Sequence, residues 1–422
     1  MDPLPQSFLS SLAALIGEAD AARAVEAMAA EPSVSVRLNP FKRPKDGRLP
    51  ILEGASQVPW SPYGHILVTR PVFTLHPLFH AGVYYVQDSS AMFAGWVFRR
   101  LLERFPDRPL RVLDLCAAPG GKTTDLAASL REACGDAFLL VSNEVMRQRA
   151  AVLSDNVAVW GDPNVVVTSV DPSAFAALPG FFDIILADVP CSGEGMFRKD
   201  PKAVEDWSPG TVALCASRQR RILADVWPAL REGGALLYST CTFETDENDG
   251  NLEWAAEELG GEIIPPDNPF GIRTTLHGTL LIPGEVPGEG QWVGALVKRS
   301  SALVSSSAER CGQSLEASLE SLKRFRPLRA GVVEGSWKGK DFIPDPDWAM
   351  SISFDRTRYP EVAVDKQTAL HFLHKDTIVL ENAPLGYVVL TYRDVPVGFV
   401  KNLGRRCNNL HPQSRRIRMD IV

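Results

Sequence analysis

The stretch "VLDLCAAPGGKTTDL", residues 112–126, runs from a short apolar segment through Pro-Gly-Gly into a helix-forming one. A strand that breaks on glycine and restarts as a helix lets backbone approach a ligand closely and aims a helix N-terminus at negative charge. The string Gly-Gly-Lys-Thr-Thr fits a phosphate-binding P-loop only in part. That motif needs glycine five residues before Gly121, where Cys116 stands. The glycines are not spaced as G-x-G-x-x-G, so a nicotinamide-dependent oxidoreductase on the same fold is disfavoured.

The same texture continues outward. "AFLLVSNEVMRQRAAVLSDNVAVWG" (137–161) reads as strand then helix, "NVVVTSVDPSAFAAL" (164–178) as strand and turn, and "FDIILADVP" (182–190) as a strand. "CASRQRRILADVWPALREGGALLYSTC" (215–241) is helix then strand, with Gly233-Gly234 expected to make the turn between them. Strands alternating with helices imply right-handed crossovers and a mostly parallel, doubly wound α/β sheet covered on both faces.

A chain of 422 residues exceeds one typical domain. We expect an N-terminal α+β region over 1–85, opening with helix and continuing in short strands, and the α/β core over 86–300. A Ser-rich linker region is expected over 301–335 and a small β-rich domain over 336–422. Seven cysteines, at 116, 134, 191, 215, 241, 311 and 407, form no C-x-x-C pair and lack histidines at zinc-ligand spacing. This pattern predicts reduced thiols in a cytoplasmic protein without a metal site. The amphipathic N-terminus has acidic residues where a signal peptide needs basic ones, and no apolar run is long enough to span a membrane.

The formal net charge of -7 argues against indiscriminate nucleic-acid affinity. Basic residues are nevertheless concentrated near both ends: Arg37, Lys42, Arg43, Lys45 and Arg48 in one cluster, and Lys401, Arg405, Arg406, Arg415, Arg416 and Arg418 in the other.

Along the carboxyl edge of such a sheet, where ligands bind, several side chains stand out. Glu144 ends the second strand, placed to accept from the hydroxyls of a ribose, and Asp171 ends the third. Cys191 and Cys241 each follow an apolar run instead of lying within it, which sets them apart from cysteines that merely fill a core. A thiol is a useful nucleophile only as thiolate, so a neighbouring cation or proton acceptor is needed; Lys122 is the cationic candidate, and Asp188 precedes Cys191 by three residues.

"DLCAAPGGKTT", "NEVMRQRA", "DVPCSGEGMFRKDP" and "GGALLYSTCTF", followed by Glu244, Glu247 and Asn248, resemble in order and spacing the Nop/Sun family of RNA cytosine-C5 methyltransferases. "VSVRLNP" and "GVYYVQDSSAM" resemble its N-terminal elements. "FTLHPLFHAGVYYVQDSSAM", "PGEGQWVGALVK" and "GFVKNLGRRCNNLHPQSRRIR" are similar to the bacterial branch called 16S ribosomal RNA methyltransferase F, which carries a PUA-like RNA-binding domain after the core.

The resemblance implies a Rossmann-like class I methyltransferase core that uses S-adenosyl-L-methionine. It implies that Cys241 attacks C6 of the target cytosine, that Asp188 bonds the N3 edge, and that Cys191 assists release. Cys116, Ala117, Ala118, Pro119, Gly120, Gly121 and Lys122 would line the amino-acid end of the cofactor. Glu144 would hold its ribose, Asp171 its adenine side, and Arg149 would support the site, with Asp188 also at its edge. Arg37, Lys401, Arg405, Arg406, Arg415 and Arg416 would contact RNA phosphates. The implied partner is 16S ribosomal RNA or the small ribosomal subunit, bound by a monomer. A transfer-RNA cytosine-C5 methyltransferase and a non-catalytic ribosome assembly factor are the alternatives. Two positions depart from the family pattern: Val189 where alanine is usual, and Gly284 where many relatives have histidine after proline.

Overall fold

The computed structural model describes residues 4–106, 109–300 and 314–421. Helices α1 (Gln6–Ile16) and α2 (Glu18–Ala29) lead into a small antiparallel sheet of order β2-β3-β1-β4, from β1 (Ser35–Leu38), β2 (Ser56–Gln57), β3 (Gly64–Ile66) and β4 (Tyr84–Val86). The N-terminal sheet thus closes one residue beyond the expected boundary at 85. Short helix α3 (Pro77–His80) lies between β3 and β4, and helix α4 (Phe93–Leu102) connects the sheet to the core.

The core sheet begins with β5 (Leu110–Asp114), α5 (Gly121–Cys134), β6 (Phe138–Asn143), α6 (Arg147–Trp160) and β7 (Val165–Thr168). It continues through β8 (Phe182–Asp188), α7 (Pro201–Asp206), α8 (Pro209–Val226), β9 (Leu230–Thr240) and α9 (Asp249–Glu258). Strands β10 (Gly261–Ile264), β11 (Gly278–Leu281) and β12 (Gln291–Lys298) complete it. The strand order β10-β12-β9-β8-β5-β6-β7 is parallel from β9 through β7, and β12 runs antiparallel between β9 and β10. The chain order reverses at β5, between β8 and β6, and there the loops diverge and leave a crevice at the carboxyl edge.

Both faces of the sheet are covered, as near-continuous apolar strands require. One layer packs α1, α2 and α8 against Leu113, Ile185 and Leu236; the other packs α4, α5 and α6 against Val112, Ile184 and Leu237. Phe8 anchors α1, its ring 5.1 Å from that of Phe197 and 5.9 Å from that of Trp207. Burying a side chain of this size contributes about 1.5–3 kcal/mol. Helix α8 starts where sequence chemistry dictates: Ser208 accepts from the Thr211 amide, and Pro209 occupies the first turn, where no N–H is needed.

Two expectations are corrected. Gly233-Gly234 does not turn the chain into β9, because the strand already runs from Leu230; the pair lies inside it, with Gly233 at φ 67° and a shift in the β8–β9 register nearby. The segment read as linker is partly structured. Residues 301–313, which include Cys311, lie outside the described residues, but Leu315–Leu322 is a helix and β13 (Arg329–Ala330) pairs antiparallel with β7 as an edge strand of the core sheet.

Beyond it come a hairpin of β14 (Gly335–Lys338) and β15 (Asp341–Pro344) and a sheet of order β16-β17-β18-β19. That sheet is built from Glu361–Ala363, Gly386–Tyr392, Val395–Asn402 and Cys407–Asn409. Its apolar face and the helix Lys366–His374 share one core with the N-terminal sheet, joining Leu370, Phe372 and Val388 to Val36, Leu78 and Tyr84. The two flanking regions therefore pack on each other.

Among the described residues no helix is long and apolar enough to cross a membrane.

Candidate active site

Strands β8 and β9 end side by side, pairing Asp188 with Ser239. The chain beyond each end carries a thiol, and the sulfurs of Cys191 and Cys241 lie 3.1 Å apart. Cys191 is held well above the usual thiol range by its hydrogen bond with Cys241 and by burial, so it keeps its proton.

The turn bearing Cys241 is clamped from two sides. Asn248 engages the Thr240 hydroxyl and donates to the Thr242 carbonyl at 3.0 Å, while Gln291 donates to the Thr240 carbonyl at 2.8 Å. The loop after Cys191 folds over this turn: the Gly195 amide donates to the Cys241 carbonyl at 2.8 Å. A Cβ at Gly195 would stand 2.8 Å from that carbonyl, so glycine is needed for the close approach. Farther along, Arg198 bonds the Glu289 carboxylate at 2.8 Å, and both side chains are nearly buried.

Lys122, at the start of α5, donates to Asp188 at 2.9 Å. Burial alone would lower the Lys122 ammonium, but the Asp188 carboxylate, with Cys241 and Asp114 adding to it, outweighs burial and raises it. Asp114 lies behind this pair, accepts from Thr123 at 2.6 Å and is pushed up to about 7, chiefly by burial.

The loop 116–121 crosses the carboxyl end of β5, with Gly120 in the left-handed region at φ 111°. Glu144, almost fully buried at the end of β6, accepts from the Met146 amide at 2.9 Å and faces Arg149 at 3.3 Å. Arg149 also donates to the Ala118 carbonyl at 2.9 Å, bracing loop and acid together. Burial pushes the Cys116 thiol up, which makes it a packing residue and not a nucleophile. Asp171 is exposed and caps its own turn, accepting from the Ser173 amide at 3.0 Å and hydroxyl at 2.7 Å. A glycine-lined loop, a fixed carboxylate one strand away and an acid at the next strand end suit a ligand with a ribose and a charged end, so the donor set fits S-adenosylmethionine.

Sequence reasoning missed what lies beneath the thiols. Glu194 and Glu247, both fully buried and without a cationic partner among the described residues, meet at Ser192. The Ser192 hydroxyl is 2.8 Å from Glu194 Oε1, in close contact with Glu247 Oε1, and 3.0 Å from Thr242. Glu247 also accepts from the Ser192 amide at 3.1 Å and from Gln219 at 2.6 Å. A hydroxyl has one proton to give, so between two carboxyl groups it can donate to one and accept from the other only when that other is protonated. Burial raises Glu247 to about 7, so it holds a proton more readily than an ordinary carboxyl group. The sequence signal is an acid three residues after Cys191 and another six after Cys241.

The basic residues fare unevenly. Arg37 does not offer itself to a phosphate: it is fully buried in β1, donating to Gln87 at 2.8 Å and Thr124 at 2.6 Å, with its guanidinium over the Trp160 ring. Ser35, Val36 and Arg37 of its strand are all buried, so alternation does not bring Arg37 to solvent. Lys42 is likewise buried, donating to the Ala81 and Val159 carbonyls. Arg415 is taken up by Asp347, with Asp155 at 3.9 Å, and its side chain is only 9% exposed. Lys401 is partly exposed, 3.7 Å from Asp341 and over the Tyr387 ring. Arg405, Arg406 and Arg416 are exposed.

The two departures sit in different surroundings, and nothing in the structure explains valine at 189. Val189 is buried in the core, its amide donating to the Ser239 carbonyl. Gly284 sits at φ 91° against α2, where a Cβ would crowd Ala27 at 3.1 Å and the Arg23 carbonyl at 3.2 Å, so a side chain there is strained.

Three family models match the chain. They are 16S rRNA methyltransferase RsmB/F over residues 103–259, the N-terminal domain of 16S rRNA methyltransferase RsmF over 4–89, and the methyltransferase RsmF PUA domain over 359–417. The ribosomal RNA small subunit methyltransferase F of Enterobacter sp. (strain 638) is 30% identical over 382 residues, 79% of this chain and 77% of that protein. The protein of the same name from Serratia proteamaculans is 29% identical over 395 residues, 79% and 78% of the two chains. Among solved structures, a methyltransferase homologue from Pyrococcus horikoshii is 28% identical with a TM-score of 0.58, over 70% of this chain and 95% of that one. NSun6 from Pyrococcus horikoshii, solved with SFG, has the same TM-score at 19% identity, over 70% and 99% of the chains, a likeness of fold. With matching models from N-terminal region to PUA domain and relatives aligned over more than three quarters of their length, the chain belongs to the 16S ribosomal RNA methyltransferase RsmB/F family, on its F branch.

Proposed function

We propose that the protein methylates C5 of a cytosine in 16S ribosomal RNA, free or within the small subunit, through a covalent Cys241–C6 adduct. The observation that carries this reading is the pair of thiols 3.1 Å apart beside the Lys122–Asp188 pair. C5 of cytosine is a poor nucleophile until a thiolate adds to C6 and makes the C5–C6 unit enamine-like.

Cys241, clamped by Asn248 and Gln291, supplies that thiolate, and the Lys122 ammonium is the neighbouring cation that favours its charge. Asp188, 30% exposed at the mouth of the site, bonds the N3 edge and favours a proton there, neutralising charge as the C6–S bond forms. S-adenosylmethionine supplies the electrophilic methyl group. A water then takes the C5 proton, the C5–H electron pair becomes the C5–C6 double bond as the C6–S bond breaks, and the C6–S pair returns to Cys241. Cys191 stays protonated in the resting site and donates its S–H to the departing sulfur. Loop 116–122, Glu144, Arg149 and Asp171 hold the methyl donor, with Asp188 at its edge. The base must be unpaired or flipped for Cys241 to reach C6 from one face.

The test offers labelled methyl donor with naked 16S ribosomal RNA, small subunits and bulk transfer RNA, followed by nucleoside analysis. The expected product is 5-methylcytidine in the ribosomal substrate. Label confined to transfer RNA would assign the other substrate, and RNA binding without label on any RNA would make the protein an assembly factor.

A further inference from the structure

All nine tryptophans lie among the described residues, and Trp337 alone is exposed, at 72%. It sits in the β14–β15 hairpin directly opposite Phe342, their rings edge to face with centroids 5.3 Å apart. Phe342 in turn meets Trp348 at 6.5 Å, and Trp348 packs among Phe354, Tyr359 and Phe399 in the PUA core. Trp337 is therefore the solvent end of an anchored aromatic ladder, which limits the side-chain freedom lost when a ligand lands on it.

A lone exposed hydrophobe is ordinary on a protein surface. The charges around this one are not. Lys338 and Lys340 flank the turn glycine Gly339 and are exposed; Asp341 stands opposite Lys338 in the hairpin register, but neither lysine forms an ion pair within 4 Å among the described residues. Of the acids nearby, Asp341 faces Lys401 at 3.7 Å and Glu334 pairs with Arg358 at 2.7 Å. Lys401 leads directly into the β18–β19 turn, where Arg405 and Arg406 are exposed and form no ion pair among the described residues. A rigid aromatic face bordered by free cations matches a single strand of nucleic acid, which presents both a π-face and a phosphate at every residue.

We propose that the Trp337 hairpin, which lies outside the segment matched by the PUA domain model, stacks one unpaired base of the substrate RNA, while Lys338, Lys340, Arg405 and Arg406 hold the adjoining phosphates. This rests on RNA being the substrate and names the surface that receives it. The hairpin replaces Arg37 and Arg415 in the RNA footprint.

The test measures binding of a fluorescent oligo(U) of roughly 12 nucleotides, within single-strand site sizes, and of its duplex with oligo(A). Wild type, Trp337→Ala, Trp337→Phe and the Lys338→Gln/Lys340→Gln double variant are compared. Trp337→Ala weakens single-strand binding about 5- to 150-fold, Trp337→Phe retains most of it, and duplex binding changes little. The double lysine variant lowers the slope of log K against log salt by about 1.4. With 16S ribosomal RNA as substrate, Trp337→Ala raises KM and leaves kcat unchanged. Equal affinity and KM for wild type and Trp337→Ala would overturn the platform, as would equal losses on single strand and duplex, or a self-association that Trp337→Ala abolishes. Failure of the methylation reading looks different: wild type itself then transfers no methyl group at saturating RNA.

Discussion

Cys191 and Cys241 come from strand ends 50 residues apart in sequence, yet their sulfurs stand 3.1 Å from each other. The contact follows from topology. Parallel neighbours β8 and β9 deliver their carboxyl ends to the same edge, and the Gly195–Cys241 hydrogen bond closes the two loops on each other. The two sulfurs thus meet through the backbone as it stands.

Glu144 tests the methyl-donor site. Its carboxylate is fixed by the Met146 amide and Arg149, so loss of the side chain removes a positioned charged acceptor. Glu144→Ala should weaken S-adenosylmethionine binding about 10- to 100-fold by calorimetry, with Glu144→Gln between it and wild type. Unchanged affinity would place the ribose elsewhere.

Lys122→Met should reduce methyl-transfer kcat by roughly 100-fold or more, because Asp188 then loses the cation 2.9 Å away while charge develops on the base. Affinity for RNA, which the proposed surface assigns to exposed cations elsewhere, should be little changed. A loss confined to KM would make Lys122 a binding residue.

Glu247 gives a pH signature. Its folded pKa of about 7 lies above the ordinary 4.5, so between those values the folded chain holds more protons than the unfolded one. Stability contributed by the neutral acid is present below about pH 4.5 and lost as pH rises towards 7. Glu247→Gln mimics the protonated acid: its oxygen accepts from the Ser192 amide and Gln219, and its amide donates to the Ser192 hydroxyl. In denaturant titrations from pH 5 to 8 the variant should lose about 1–3 kcal/mol less than wild type. A residual slope is expected, since Asp114 and Glu244 are also raised to about 7. Parallel curves for the two proteins would mean that Glu247 is ionised throughout.

Arg37→Met should separate structure from RNA binding. Removing a buried cation that holds Gln87 and Thr124 and lies 3.7 Å from Asp125 should cost about 3–5 kcal/mol in unfolding experiments. The salt slope of RNA binding by the folded fraction should be unchanged. A shallower slope with undiminished stability would return Arg37 to the RNA surface.

The core was legible because its signals are local. Apolar runs that stop at Asp188 and Thr240 mark strand ends, and Pro-Gly-Gly marks the loop before α5, so the side chains at the sheet edge could be named from sequence. The burial of Arg37 and Arg415 could not be. A basic run looks the same whether its charges meet solvent or a buried partner such as Asp347, and that depends on how separate regions pack. The Ser192–Glu194–Glu247 network is equally long-range, joining loops that only the β8–β9 pairing brings together. Gly233-Gly234 was misread because two glycines serve a strand irregularity as readily as a turn.

The most direct test of the two-thiol account is denaturing electrophoresis of wild type, Cys191→Ala and Cys241→Ala after incubation with 16S ribosomal RNA and S-adenosylmethionine. The account predicts that Cys191→Ala accumulates a covalent protein–RNA adduct, while Cys241→Ala neither crosslinks nor methylates. Methylation by Cys241→Ala, or an adduct that persists in it, would contradict the assignment of Cys241 as the nucleophile.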